Sequence, residues 1–400
     1  MRVYHMTEQP YPDAWDKSQE SLRVNLPNKY CEPEVAADLY HRFIDEWVLC
    51  DELGINLFIN EHHSTATCIT SACSVTLGIL ARVTKNVRML CLGYPIANRP
   101  DPLRVAEEVA MIDVISRGRL DLGFVRGVPY EIVPANSKPV RQMDRFWEAH
   151  DLILKALSTT TGPFSWEGEY FDYRSVNIWP RPYQQPHPPI WISSNTVGNI
   201  RAIAERGHAL GTVMMGYKVK DLFGEYRRVW REQGRPEPFP LDRLCNCSFV
   251  AVGHNEAEGL RLGNEVMSYL RTGMTVAPQF RNPPGFLPTP AAAQVFRQTN
   301  GVGFQDYALT DRHGNRLGGF KTATPKDAIA GGLLFAGNPD QVFEQIVDFY
   351  EAVGGFGHLQ MMAQAGPMSH EDTVASLKLF AKEVMPRLNE YYASRSIAAE

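Results

Sequence analysis

Short apolar runs, bounded by glycine, proline or polar clusters, alternate along this chain with longer segments of helical hydrophobic period. Such alternation is typical of repeated strand–helix units, in which helices cover a buried parallel sheet. Eight strands of this kind predict the α/β class and a closed (β/α)8 TIM barrel with insertions. The predicted strands are Val3–Met6, Ile55–Asn60, Val87–Gly93, Leu120–Val125, Ile190–Ser193, Leu210–Met214, Leu244–Val252 and Leu359–Ala363.

Two segments are longer than a minimal barrel needs. Phe164–Trp179 alternates aromatic and polar residues, which predicts a hairpin before the fifth strand. Met274–Leu333 is rich in proline and glycine and predicts an insertion folded over one face of the barrel, where it is a candidate lid. A surface or oligomer-contact loop is the alternative. No composition break divides the rest, so we expect residues 1–400 to form one domain with an insertion at about 274–333.

Composition limits the classes of partner. The net charge is −5 and no basic tract is present, so nucleic acid and anionic membranes are not expected partners. The seven cysteines are scattered, with Cys245 and Cys247 the only close pair, and they predict reduced core thiols without a metal site. Met1–Pro12 does not resemble a signal peptide, and no apolar stretch is long enough to span a bilayer, so we expect a cytoplasmic protein.

Two adjacent histidines, His62 and His63, follow the predicted second strand and Glu61. The carboxyl ends of barrel strands carry the chemistry of TIM-barrel enzymes, so both are candidate catalytic residues. A hydrogen-bonded core histidine is the competing interpretation. Neighbouring side chains at a strand end point to opposite sides, so we expect one ring to face the pocket.

Anion-binding residues follow two other predicted strands. Arg126 ends the fourth strand and precedes Gly127, which places a cation at the active face with an anion as its natural partner, or a surface salt bridge as the alternative. After the fifth strand, Ser194, Thr196 and Asn199 lie at the start of a helix, where hydroxyl, amide and backbone N–H groups form a phosphate cradle or simply cap the helix.

The absence of three common motifs limits the classes of cofactor that the chain is expected to bind. The chain has no Gly-x-Gly-x-x-Gly unit between a strand and a helix, no P-loop and no His-Glu-x-x-His helix. Therefore no nicotinamide domain, nucleotide-hydrolysing loop or zincin site is predicted. A phosphate-bearing cofactor held across a barrel mouth remains.

Five ordered blocks resemble the bacterial luciferase-like flavin-dependent monooxygenase family, and the resemblance covers nearly the whole chain apart from Met274–Leu333. The blocks are Glu61–His63, Pro102–Glu108, Ile112–Leu120, Gly123–Gly127 and Ser376–Pro386. This resemblance implies an FMN-using barrel with the histidine at the His62 position beside the flavin.

The same resemblance implies further site residues. Arg126 would hold the FMN phosphate, together with Thr196 and Asn199. Gly93 and Tyr94 fall where the backbone, often with an unusual peptide bond, supports the isoalloxazine ring. A second phosphate arginine of the family aligns nearer Met143, so Arg145 or Arg141 would have to substitute.

The implied activity is oxygenation of a mostly apolar organic small molecule by O2 and reduced FMN through a flavin peroxide. A separate flavin reductase would supply the reduced FMN, and a homodimer is expected. Trp179 and Phe124 are candidates for a dry pocket around the flavin. The alternatives are a deazaflavin-dependent oxidoreductase performing hydride transfer and a non-catalytic flavin-binding subunit.

Overall fold

The computed structural model describes residues 1–18, 20–287, 289–290, 292–293 and 308–397. Eight parallel strands pair side by side in a closed ring, which confirms the predicted TIM barrel. In ring order they are β1 (Arg2–Thr7), β2 (Asn56–Ile59), β3 (Met89–Pro95), β4 (Leu120–Val125), β7 (Ile190–Ser193), β8 (Ala209–Gly211), β9 (Leu244–Val252) and β13 (His358–Gln364).

Each of these strands overlaps one of the eight predicted runs. Alternate side chains fill the barrel interior, including Tyr4 and Met6 of β1 and Leu90 and Leu92 of β3. The intervening residues pack outward against the helices in a second, larger cluster. The apolar runs were recognisable because both faces of a parallel barrel strand are buried.

The remaining strands lie outside the ring. β5 (Phe164–Glu167) and β6 (Asp172–Val176) pair antiparallel, which confirms the hairpin predicted before the fifth barrel strand. A ninth strand of the main sheet, β12 (Leu334–Gly337), pairs with the carboxyl half of β9 beyond the end of β8. It was not predicted, because its four residues follow directly on the proline- and glycine-rich insertion.

Helices cover the outside of the ring. Asp101 caps the helix that begins at Pro102 by accepting a hydrogen bond from the Leu103 N–H at 3.1 Å. In the described residues the α-helices are α1 (Pro33–Leu53), α2 (Cys73–Val83), α3 (Pro102–Ser116), α4 (Gln142–Ser158), α5 (Val197–Arg206), α6 (Val219–Glu232), α7 (Glu256–Val266), α8 (Pro278–Arg281), α9 (Pro325–Ala330), α10 (Pro339–Ala352), α11 (His370–Leu379) and α12 (Met385–Ile397).

Part of the predicted insertion Met274–Leu333 can be placed. It contains α8, α9 and a small antiparallel pair, β10 (Ala308–Thr310) and β11 (Arg316–Gly319). Residues 288, 291 and 294–307 of it lie outside the described residues. Throughout the described ranges, no helix is long and apolar enough to cross a membrane.

Candidate active site

Polar side chains converge at the carboxyl ends of β1, β2 and β4. His62 Nδ1 lies 2.9 Å from Oε1 of Glu131, and the same oxygen accepts a hydrogen bond from the His63 N–H at 3.0 Å. On its other side, His62 Nε2 lies 3.8 Å from Oε2 of Glu8. The Asn60 amide donates to that Glu8 oxygen at 2.9 Å. Two buried carboxylates therefore flank one imidazole at the barrel mouth.

The two carboxylates decide the charge of His62. Burial opposes the charged ring, but Glu131 and then Glu8 outweigh it, so the pKa of His62 is raised above its ordinary value. Burial also opposes ionisation of Glu131, yet the adjacent His62 and the His63 N–H bring the pKa of that carboxyl below its ordinary value. The geometry thus favours an ion pair, with the Nδ1 proton of His62 donated to Glu131.

The second histidine points to a different carboxylate. His63 Nε2 lies 3.4 Å from Oε1 of Glu61, which also pairs with Arg99 Nη2 at 2.6 Å. Its side chain is 33% exposed, against 18% for His62. The two rings therefore diverge as expected, and His62 is the one enclosed at the barrel mouth.

A fully buried arginine supports this cluster from a loop before α1. Arg23 hydrogen-bonds the hydroxyls of Tyr130 and Tyr269, the latter at 3.2 Å, and its guanidinium stacks over both rings. The Tyr130 hydroxyl in turn lies 3.3 Å from His62 Nδ1. Arg23 and Tyr130 thereby restrict the position of the imidazole on the side that faces the loop.

Arg126 lies at the end of β4 with its charge unmatched. Among the described residues no carboxylate pairs with it, and burial lowers its pKa to about 10. Its guanidinium carbon lies 3.8 Å from the ring centroid of Phe286, in the insertion. A desolvated cation without a protein counter-charge is favourably placed to attract an anionic ligand.

The start of α5 lies beside this arginine. Ser194 and Asn199 line the same cavity as Arg126, and Asn199 Nδ2 donates to Ser194 Oγ at 3.4 Å. Thr196 is the N-cap residue, is exposed and makes no side-chain capping bond. Apart from its chain neighbours and the backbone of its own helix, no atom lies within 4 Å of the Cβ position of Gly198 in the first turn. The cavity is lined by Arg126, Met143, Phe146, Trp147, Ile192, Ser193, Ser194, Asn199 and Ile203.

Gly93 lies where β3 and β4 approach most closely. The peptide bond between Leu92 and Gly93 is cis, and the register of β3 against β4 shifts at this point. A Cβ on Gly93 would lie 2.3 Å from the carbonyl oxygen of Gly123, so only glycine fits. Tyr94 is fully buried in the outer cluster, which leaves its backbone, rather than its ring, on the side of the site.

The structure places three other candidates away from this cavity. Arg145 Nη2 donates to the Arg99 carbonyl at 3.2 Å and stacks over Phe171, while Met143 lines the cavity. Trp179 is 82% exposed, so the expectation that it dries the pocket is wrong. Phe124 packs in the outer cluster because it alternates with the inward residues of β4, and it does not line the pocket either.

The sequence profile of the luciferase-like monooxygenases matches residues 25–355. The chain belongs to this family. Among curated relatives, the oxygenase component of a flavin-dependent trigonelline monooxygenase from Acinetobacter baylyi is 31% identical over 252 residues. That alignment spans 60% of this chain and 66%, just under two thirds, of the relative. The alkanal monooxygenase alpha chain of Photobacterium leiognathi is 26% identical over 92% of this chain and 98% of its own length.

Solved structures share the fold of this family member. The oxygenating constituent of 3,6-diketocamphane monooxygenase from Pseudomonas putida, a type II Baeyer–Villiger monooxygenase in complex with FMN, superposes with a TM-score of 0.70 at 20% identity, over 96% of this chain and 99% of that one. The coenzyme F420-dependent tetrahydromethanopterin reductase of Methanopyrus kandleri gives 0.63 at 15%, over 96% and 98%. This barrel fold therefore occurs with two kinds of cofactor: FMN, and coenzyme F420, which is a deazaflavin.

Several residues of the site were not predicted from the sequence. They are Glu8, Arg23, Tyr130, Glu131 and Tyr269. Glu8 carries a readable signal, because an acidic residue directly after an apolar barrel strand lies at the active face. Arg23 lies in a loop, Tyr130 and Glu131 in a short 3-10 turn, and Tyr269 in a π-helical segment, so no regular α or β period reveals that these side chains point inward.

Proposed function

We propose that this chain is the oxygenase component of a two-component monooxygenase, which uses reduced FMN and O2 to oxygenate a small, mostly apolar organic molecule. The observation that carries the proposal is the pairing of two features at one barrel mouth. One is the unpaired cation Arg126 beside the start of α5, and the other is the buried pair of His62 and Glu131.

The residues present fit the phosphate group of FMN. Arg126 supplies a charge that no described protein group neutralises, and Ser194 and Asn199 add polar hydrogens beside it. The first N–H groups of a helix have no acceptor within the helix, and its N-terminus carries partial positive charge. Arg126, the polar side chains of Ser194 and Asn199, and the first turn of α5 thus bring donor groups to one cavity. Thr196 completes this proposed set, and we leave Arg145 out of it.

Bound reduced FMN would supply the electrons with which O2 is activated. The protein side chains would position the reactants, supply a proton and exclude water. His62 holds a proton on Nδ1 against Glu131, which leaves Nε2 as the atom that exchanges a proton at the barrel mouth. The close contact of Gly93 with Gly123 keeps side chains out of the space where the resemblance places the flavin ring. His63, bound to Glu61, remains the alternative catalytic residue.

Apolar side chains around the interior support an apolar substrate. Val125, Val213 and Met274 are partly buried and pack against the interior cluster. Val125 ends β4, Val213 follows β8 and Met274 begins the insertion, so these residues come to the mouth from three parts of the chain. Because these side chains exclude water from the mouth, they would protect reaction intermediates that water readily hydrolyses.

A flavin reductase is the proposed partner. No nicotinamide-binding motif is present in the chain, and the trigonelline monooxygenase relative is itself an oxygenase component. We also propose a cytoplasmic location, where a reductase and reduced cysteines are both found.

A homodimer is the proposed assembly, formed through α2 and α3. These helices pack side by side, and their outer faces carry apolar residues at helical spacing. Exposed fractions range from 38 to 63%, which is unusual for six apolar side chains on one surface. They are Val75, Ile79 and Val83 on α2, and Met111, Val114 and Ile115 on α3.

The test is oxygen consumption by the purified chain mixed with reduced FMN or with reduced deazaflavin. Hydride transfer with a deazaflavin is the second candidate, because the tetrahydromethanopterin reductase shares this fold. We expect slower release of hydrogen peroxide from reduced FMN when the chain is present, and no binding of the deazaflavin. Tight deazaflavin binding with hydride transfer to an acceptor would replace the proposal by the second candidate.

A further inference from the structure

The first part of the insertion contacts the candidate site at two places. Helix α8 packs against the turn Pro129–Glu131, which carries the carboxylate bound to His62. Just before α8, Val276 forms a backbone bridge with Arg23. The residues from Met274 to Leu287, called here the clasp segment, therefore begin on the histidine side of the barrel mouth.

The other end of the clasp segment lies on the cation. Phe286 is 6% exposed, and its ring covers one face of the Arg126 guanidinium at 3.8 Å. A turn holds it there, with the Phe286 N–H donating to the Pro283 carbonyl at 3.0 Å. Gly285 has a φ of +87° and lies so close to Val140 that a Cβ would approach its Cγ2 to 2.6 Å.

Stacking of this kind leaves the binding capacity of an arginine intact. The N–H groups of a guanidinium lie in its plane, so a ring over one face does not occupy them. The ring removes water from that face and limits the rotation of the side chain, and both effects strengthen an in-plane contact with an anion. A phosphate bound at the edge of Arg126 would in turn hold the cation against Phe286.

We propose that Phe286 is a positioning residue that couples closure of the clasp segment to the phosphate of the bound flavin. The inference rests on the proposed function, because it takes FMN as the ligand of Arg126. It adds that the insertion recognises the phosphate through Arg126 and thereby discriminates FMN from a flavin without that group. Closure would then also keep α8 packed on the turn that carries Glu131, the partner of His62.

The experiment measures dissociation constants of FMN and riboflavin for the full chain and for Phe286→Ala, Phe286→Leu and Phe286→Tyr. We expect Phe286→Ala to weaken FMN binding roughly tenfold, the factor expected for losing a desolvated cation–π contact, and to change riboflavin binding less than about twofold. Phe286→Tyr keeps an aromatic ring and should bind FMN as tightly as the parent does, whereas Phe286→Leu should bind it more weakly. Val140→Ala is the matched control, since Val140 lies beside Gly285 and carries no aromatic ring to stack on the guanidinium.

Hydrogen exchange of the clasp segment gives a second measurement that is independent of activity. We expect FMN to protect residues 274–287, and riboflavin to protect them much less. Equal losses for the two flavins in Phe286→Ala, tighter FMN binding in that variant, or equal protection by both flavins would overturn the proposal. If Arg126→Ala weakens FMN binding but Phe286→Ala does not, only this inference fails; if Arg126→Ala has no effect, the proposed phosphate site itself fails.

Discussion

At the scale of single residues, the site depends on one carboxylate, Glu131, which contacts both His62 and His63. Glu131 binds both the His62 ring and the His63 backbone through one oxygen, and its side chain is 3% exposed. Because the pKa of His62 is raised against the effect of burial, Glu131 supplies most of the charge stabilisation, and Glu8, at 3.8 Å, supplies less. Each contribution can be measured separately.

We predict that Glu131→Gln lowers the pKa of His62, because burial then acts on the imidazole without its main counter-charge. NMR titration of the histidine ring measures this pKa directly. Glu8→Gln is the matched control and should lower it less. An unchanged His62 pKa in Glu131→Gln would mean that the two side chains do not form an ion pair.

The same pair gives a stability prediction with a definite sign. The folded-state pKa of His62 is raised, so its contribution is complete below the unfolded value of about 6.5 and is lost as the pH rises through the folded value. The parent should therefore exceed Glu131→Gln in unfolding free energy by roughly 1 to 3 kcal/mol near pH 6, and by less near pH 9. Urea unfolding at the two pH values measures the difference.

At the scale of elements, β3 and β4 show what the sequence can and cannot predict. Both apolar runs were recognisable, since parallel barrel strands are buried on both faces. The close approach of Gly93 to Gly123 depends on a register shift between the strands, which no single-strand pattern contains. Likewise, Glu131 and Tyr130 lie in an irregular turn whose side-chain directions follow from packing.

We predict that Gly93→Ala destabilises the protein by about 1 to 3 kcal/mol or more, because the Cβ would meet backbone atoms that have no room to move. Gly224→Ala is the matched control. Gly224 is exposed within α6 and has no atom within 4 Å of its Cβ position. Alanine there should therefore raise the free energy of unfolding by roughly 0.5 to 1 kcal/mol. Equal stability of Gly93→Ala and the parent would show that the two strands are further apart.

At the scale of the whole molecule, barrel closure was predictable because it follows from the number of strand–helix units. The arrangement of the insertion was not, since proline-rich loops have no hydrophobic period. Phe286 on Arg126 joins residues 160 positions apart, and Arg23 reaches Tyr269 across 246 positions. Contacts of this range depend on the completed barrel, so they are invisible to local patterns.

The proposed dimer face on α2 and α3 would determine the assembly of the whole molecule. We predict that Val75→Asp, which puts a charge on the outer face of α2, converts a dimer into a monomer of 45.0 kDa in light scattering. Val133→Asp is the control, because Val133 is 55% exposed in a loop that belongs to neither helix. A parent chain that is monomeric, or a Val75→Asp variant that stays dimeric, would remove this face from the assembly.

In the proposed function, Arg126 and the start of α5 hold the phosphate of FMN. The most direct measurement compares the binding of FMN and riboflavin to the parent, to Arg126→Ala and to Arg141→Ala, an exposed arginine paired with Asp144 at 2.7 Å. Arg126→Ala should lose about 1.5 to 3 kcal/mol of FMN binding and almost none of riboflavin binding, while Arg141→Ala changes neither. Equal losses for both flavins, or unchanged FMN binding in Arg126→Ala, would show that Arg126 does not hold the phosphate.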